Sequence, residues 1–218
     1  SDVYKRQSLV VEFGPDQNVI WKAELPSGLS SPCIWGDTIF LTGYTERDNK
    51  LETLAISRDD GRIRWRREVP ATSLEKVHET SSPAASTPTT DGERVYVYFG
   101  SYGVLCYDFA GNLLWRKELP VPAARFGTGS SPVVADQLLL LAVHGVALMA
   151  LDVQTGQTVW TNEKPRFSCS YCVPFVHDSD RGREVVLHGS GGVVAIDMKT
   201  GRDRWWIHGL TIDPIPSP

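Results

Sequence analysis

Several side chains suited to chemistry stand outside any recognised active-site motif. His78 and Glu79 are adjacent, as are Arg125 and Phe126. His144 and His188 each precede a glycine, and Cys169-Ser-Tyr-Cys172 is a C-x-x-C. Imidazole, carboxylate and thiolate are metal donors, so these residues could hold an ion if the fold gathered them. The C-x-x-C by itself does not make a site. Zinc would want a second such pair, and a redox dithiol is normally met beside a βαβ unit. A local disulfide and two loop thiols both stay open for Cys169 and Cys172. The sequence holds no nucleophile elbow, phosphate loop or H-E-x-x-H. No catalytic set and no metal site is therefore assigned, and a cofactor-binding set stays unknown. Loops carry polar residues by default, and the fold decides which of them meet.

Bulk composition narrows the classes. Of 218 residues, 41% are hydrophobic, enough to bury a core. The formal net charge of -4 comes without a basic stripe, which argues against a nucleic-acid partner. Arg62-Ile-Arg-Trp-Arg-Arg67 is basic, but it reads as the solvated face of an outer strand. The longest apolar runs, Leu138–Val143 among them, are strand-sized. A membrane helix needs ~20 such residues. Four cysteines are too few for a disulfide-built scaffold.

The elements that must position these side chains follow from a repeat. Trp21, Trp65, Trp115, Trp160 and Trp205 recur at about 45-residue intervals. Gly61, Gly111, Gly156 and Gly201 each stand four positions before the last four of these tryptophans. Upstream come Ala55-Ile-Ser, Cys106-Tyr-Asp108, Ala150-Leu-Asp152 and Ala195-Ile-Asp197. Further upstream each unit opens near a proline: Pro32, Pro83, Pro132 and Pro174. Each unit divides into four strand-like pieces. In the third these are 131–135, 137–143, 146–151 and 158–162. The Asp-x-x-Thr-Gly turn suits a tight hairpin, because glycine accepts the positive φ such turns use. Leu138–Val143 does not alternate polar and apolar, as befits a strand covered on both faces. No long amphipathic helix is visible.

Four short strands per repeat predict an all-β fold: a β-propeller of four-stranded antiparallel blades. Complete blades are expected at about 30–69, 81–119, 130–164 and 173–208, with partial blades at 8–26 and 212–218. The ring is thus incomplete, an open arc with blade faces exposed at both ends. Residues 1–7 resemble a translated adapter scar and are set aside as non-native. One tryptophan per blade, Trp21, Trp65, Trp115, Trp160 or Trp205, is expected to dock on the neighbouring blade. A residue that recurs in every blade has a structural job in each. Asp108, Asp152 and Asp197 are accordingly expected to cap turns by bonding backbone amides, rather than to bind calcium.

Ala150-Leu-Asp152-x-x-Thr-Gly156-x-x-x-Trp160 and Ala195-Ile-Asp197-x-x-Thr-Gly201-x-x-x-Trp205 resemble the repeat of pyrroloquinoline-quinone-type β-propellers. The resemblance covers nearly the whole chain from about residue 10. That family includes quinoprotein alcohol dehydrogenases and the propeller of the outer-membrane assembly machinery. It implies a bacterial protein of the periplasm or the cell exterior, and a ring of about seven or eight blades. Its dehydrogenases stack a vicinal cysteine disulfide on the quinone, and no two cysteines are adjacent here. Quinone and calcium would then bind only if blades outside this sequence supplied the site.

Strands in a blade run up and down, so inter-blade loops share one face with the second-to-third strand loops. That face gathers 71–82, 120–130 and 165–173, with 43–50, 100–103, 144–145 and 189–192. Its candidate ligand residues are His78, Glu79, Arg125, Phe126, His144, Cys169, Cys172 and His188. The expected function is a non-catalytic scaffold offering these loops to a protein or carbohydrate partner. A fragment of a quinoprotein dehydrogenase is the alternative, and a sensor propeller appended to a kinase or hydrolase is a third.

Overall fold

The computed structural model describes residues 11–71, 73–122, 124–163 and 171–211. Residues 1–7, the opening at 212–218 and Cys169 lie outside that set. Sixteen strands form four antiparallel sheets, each a simple meander. The first sheet holds β1 (Cys33–Trp35), β2 (Thr38–Thr45), β3 (Lys50–Ser57) and β4 (Ile63–Pro70). The second holds β5 (Thr89–Thr90), β6 (Arg94–Phe99), β7 (Gly103–Asp108) and β8 (Leu113–Lys117). The third holds β9 (Val133–Ala135), β10 (Leu138–Val143), β11 (Ala147–Asp152) and β12 (Thr158–Asn162). The fourth holds β13 (Phe175–Ser179), β14 (Gly182–Gly189), β15 (Gly192–Asp197) and β16 (Asp203–His208). This is a partial β-propeller arc. Its only helical element among the described residues is one 3-10 turn, Glu46–Asp48, between β2 and β3.

The first two strands of the third unit are shorter than the sequence pattern predicts, the third is shifted by one residue and the fourth agrees. β9 starts at Val133, not at 131, because the stretch before it is drawn into contacts with the neighbouring sheet. The Ser131 hydroxyl accepts the Thr87 amide at 2.9 Å. The segment expected as a preceding partial blade, 8–26, has no named strand among residues 11–26, only an isolated Gly14–Gln17 bridge.

The non-alternating runs have a direct cause: an inner strand of a middle sheet serves two neighbours. Leu139, Leu141 and Val143 of β10 pack on Tyr96, Tyr98 and Trp115 of the second sheet. Leu140 and Ala142 of the same strand pack on Val185, Leu187 and Val194 of the fourth. The period of two is kept, but both faces meet apolar neighbours, so both sets are apolar. Val95, Val97 and Phe99 of β6 likewise face Phe40, Ala55 and Trp65 of the first sheet.

The repeated tryptophans sit between sheets. Trp65, Trp115 and Trp160 are 8%, 9% and 8% exposed. Their indole N–H groups donate to the carbonyls of Phe109 (2.8 Å), Val153 (3.0 Å) and Met198 (2.9 Å) in the next sheet. Trp21 does the same to Arg58 at 2.7 Å. Each ring covers the turn glycine of that sheet. A Cβ on Gly111 would come 2.8 Å from Trp65, and one on Gly201 2.6 Å from Trp160. These glycines also have positive φ, +83° and +70°, so both backbone and contact select glycine. Directly across the strand pair from the indoles lie small residues: Ala55, Cys106 and Ala150 opposite Trp65, Trp115 and Trp160. A β-bulge follows each of these pairs. Trp205 departs from the set. It is 36% exposed, and its indole N–H donates to Glu184 within its own sheet at 2.9 Å.

The turn aspartates bond their own loops. Asp152 Oδ1 accepts the amides of Gln154 (3.0 Å) and Thr155 (2.8 Å) and the Thr155 hydroxyl. Asp197 repeats this with Lys199 and Thr200. Asp108 accepts the Asn112 amide at 2.8 Å. Burial pushes the Asp197 carboxyl up, but hydrogen bonds from Arg204 and Thr200 outweigh it and bring its pKa down to about 2. The basic run of β4 is consumed by partners in the same way. Arg64 pairs with Asp37 at 2.6 Å, Arg66 with Glu52 at 3.2 Å, and Arg67 donates to the Gly111 carbonyl.

Candidate functional site

The connections β4–β5, β8–β9 and β12–β13 emerge on one face, together with the β2–β3, β6–β7, β10–β11 and β14–β15 hairpins. There the loops of successive sheets reach across to one another. The centre of that contact is a chain of rings. His78, after β4, lies 5.6 Å from Phe126, after β8. Phe126 meets Tyr171, before β13, edge-on at 5.9 Å. Tyr171 stacks on His144, in the β10–β11 hairpin, at 4.8 Å. Arg125 lays its guanidinium over the Phe126 ring at 5.1 Å.

These rings border a cleft of about 480 Å³, lined by His78, Phe126 and Tyr171 with Thr128, Ala85 and Gly129 among its other walls. Glycine is needed in the walls for close approach: a Cβ on Gly129 would come 2.8 Å from the Tyr171 ring. Behind Thr128 lies Glu75, 4% exposed. The Thr128 hydroxyl donates to Glu75 Oε2 at 2.7 Å, and the Glu75 amide donates to the Ser101 hydroxyl at 2.9 Å. Oε1 of Glu75 and the Tyr98 hydroxyl have no hydrogen-bond partner. Burial pushes the Glu75 carboxyl above its ordinary pKa, and the Thr128 bond only partly opposes this. Burial likewise raises the Tyr98 phenol, with the charge of Glu75 adding to it.

Four of the eight expected ligand-face residues are thus brought together: His78, Arg125, Phe126 and His144. Glu79 is exposed and does not line the cleft. Cys172 and His188 are not ligand-face groups in this structure. Cys172 is a free thiol buried in the core between the third and fourth sheets. Its S–H donates to the His188 carbonyl at 3.1 Å, and burial raises its pKa. His188 is buried on β14, where desolvation lowers its pKa. Reading the C-x-x-C for its sulfurs passes over Tyr171 inside it, the residue that joins the rings. Glu75 and Thr128 carry no motif; no local signal marks a carboxylate that becomes buried only when two loops meet.

A family profile described as outer membrane protein assembly factor BamB matches residues 55–210. The chain belongs to this family of PQQ-like β-propeller repeats. A 1-butanol dehydrogenase (cytochrome c) of Thauera butanivorans is 28% identical over 110 residues, 48% of this chain and 16% of that protein. Among solved structures, BamB from Moraxella catarrhalis superposes with a TM-score of 0.63 at 22% identity, covering 88% of this chain and 55% of its own. A europium-containing methanol dehydrogenase gives 0.63 at 14% identity, with 83% and 41% covered. At these identities the structural likeness is one of fold. The chain spans about half or less of the length of each relative.

The dehydrogenase relatives raise the question of a quinone with its calcium. Calcium takes about six to eight oxygen ligands. Among the described residues no group of three or more His, Cys, Asp or Glu is placed to hold a metal ion. The one carboxyl behind the cleft is already bonded to Thr128. This donor set does not fit the pair, and its metal ligands would have to come from residues outside those described.

Proposed function

We infer that this chain is part of a non-catalytic binding scaffold of the periplasm or cell exterior, which engages a partner through the loop face. The carrying observation is the cleft built from His78, Phe126 and Tyr171, with His144 stacked behind and Arg125 at its edge. Aromatic rings and arginine around a concavity are the composition of binding hot spots. The similarity to an assembly-factor propeller supports a protein as the partner, ahead of a carbohydrate. Nucleic acid is disfavoured, because Arg64, Arg66 and Arg67 of the basic run have partners within the protein.

The second reading, a dehydrogenase segment, is supported by the 28% match to the butanol dehydrogenase. Titration of the full-length protein, with any blades beyond this sequence, with pyrroloquinoline quinone and calcium, followed by quinone absorbance, separates the two. A scaffold gives no saturable uptake. Stoichiometric saturable binding would overturn the scaffold and select the dehydrogenase.

A further inference from the structure

Several of the cleft's polar side-chain atoms are already engaged, while its rings are not. Thr128 turns its hydroxyl to Glu75, and Thr80 holds the His78 imidazole through its hydroxyl at 2.9 Å and its amide at 3.3 Å. The Tyr171 hydroxyl accepts the Phe126 amide at 3.3 Å. What is left for a guest is mainly ring surface, the Ala85 methyl and glycine backbone, with the Ser81 hydroxyl and the Tyr171 O–H proton as its polar exceptions. A sugar seated there would bury several hydroxyls with few partners, at about 1–3 kcal/mol for each one left unmade. An apolar side chain loses no such bond and gains about 25 cal/mol per Å² removed from water.

The rim adds a charge. Arg125 is exposed, stacked on Phe126, and paired with no carboxylate among the described residues. Its guanidinium is held by the ring beside the opening, in place for an anion that arrives with the guest. Apolar filling and one flanking negative charge together describe a peptide segment better than a sugar.

Building on the scaffold reading, we propose that the cleft seats one apolar, ring-sized side chain of a protein partner, with Arg125 pairing to an acidic residue next to it. The test titrates the whole chain with capped tetrapeptides carrying Phe-Glu, Phe-Lys or Ser-Glu at their centre, and with maltose and phenylacetate. The readout is the amide shifts of Gly127 and Gly129. The Phe-Glu peptide is expected to move both amides saturably and to bind tightest. Phe126→Ala should weaken it by at least about fivefold. Arg125→Glu should reverse the order of Phe-Glu and Phe-Lys; both side chains are exposed, so neither variant endangers the fold.

Equal response to Ser-Glu, an unchanged order in Arg125→Glu, or no shift with any probe overturns the proposal. Tighter binding of maltose or phenylacetate overturns the peptide assignment and leaves the scaffold standing. Quinone uptake overturns the scaffold itself, while the peptide titration still decides what the cleft accepts.

Discussion

The hydroxyl of Thr128 donates to the carboxyl of Glu75 across two loops from different sheets, at 2.7 Å and out of contact with solvent. Gly100, in the hairpin between β6 and β7, lies beneath both groups. This latch holds the back of the ring-lined cleft, and it concentrates a cost: one carboxylate oxygen without a partner in a buried place.

The first prediction concerns that cost. The folded-state pKa of Glu75 is raised by burial. Its contribution to stability is therefore fully present below the unfolded pKa and is lost as pH rises through the folded value. Glu75→Gln keeps the shape and removes the charge. It is expected to raise Tm at pH 8 by about 2 °C or more, with little change at pH 4. Thermal unfolding of both proteins across that range checks this. A lower Tm for the variant at pH 8 would mean that the ionised form is held by a partner.

Gly100→Ala tests the latch by shape. An added Cβ would fall well inside contact distance of Thr128 Oγ1 and 2.5 Å from Glu75 Oε1. Overpacking of this kind costs about 1–3 kcal/mol. Gly14→Ala, where a Cβ meets nothing within 4 Å, is the control and should stay within about 0.5 kcal/mol. Urea midpoints for the two variants give the comparison. Similar midpoints would remove the steric reading of Gly100.

The tryptophan–glycine contacts should be measurable as coupling. Trp160→Ala is expected to cost about 3–5 kcal/mol. Gly201→Ala also destabilises, partly through its positive φ and partly through collision with Trp160. Removing the indole relieves the second part only. A double-mutant cycle should therefore show a coupling energy of about 0.5–3 kcal/mol. Strict additivity would show that the ring does not press on the glycine. Trp205→Ala, at an exposed indole, should cost less than Trp160→Ala.

Thiol reactivity follows burial. Desolvation pushes Cys106 up to about 12 and raises Cys172 as well, and both are buried. Cys33 is only partly buried. Among the three described cysteines, iodoacetamide at pH 8 should label Cys33 first and leave Cys106 and Cys172 nearly untouched until unfolding. Peptide mapping by mass spectrometry reads the order. A cross-link between 169 and 172 in a non-reduced map would contradict the free thiol of Cys172.

The blades were legible in the sequence because their rules are local or periodic. Gly156 and Gly201 take positive φ in a turn closed by an aspartate four residues earlier. Trp160 and Trp205 follow at a fixed offset, and Leu138–Val143 shows by its lack of alternation that both strand faces are covered. Such signals act within a few residues or repeat in every blade, so one chain states them several times over. The cleft obeys no such rule. His78, Phe126 and Tyr171 lie on loops about one repeat apart, and nothing near Tyr171 in sequence shows that its ring will meet His144. Cys172 and His188 carry the residue types of a site but are buried, Cys172 in the core between the third and fourth sheets. Trp205 has the spacing of the docking tryptophans, yet it bonds Glu184. Which loops touched, and which polar groups were buried in doing so, was decided by the packing of one sheet on the next, because contacts between distant loops depend on the rotation between blades and leave no period in the chain.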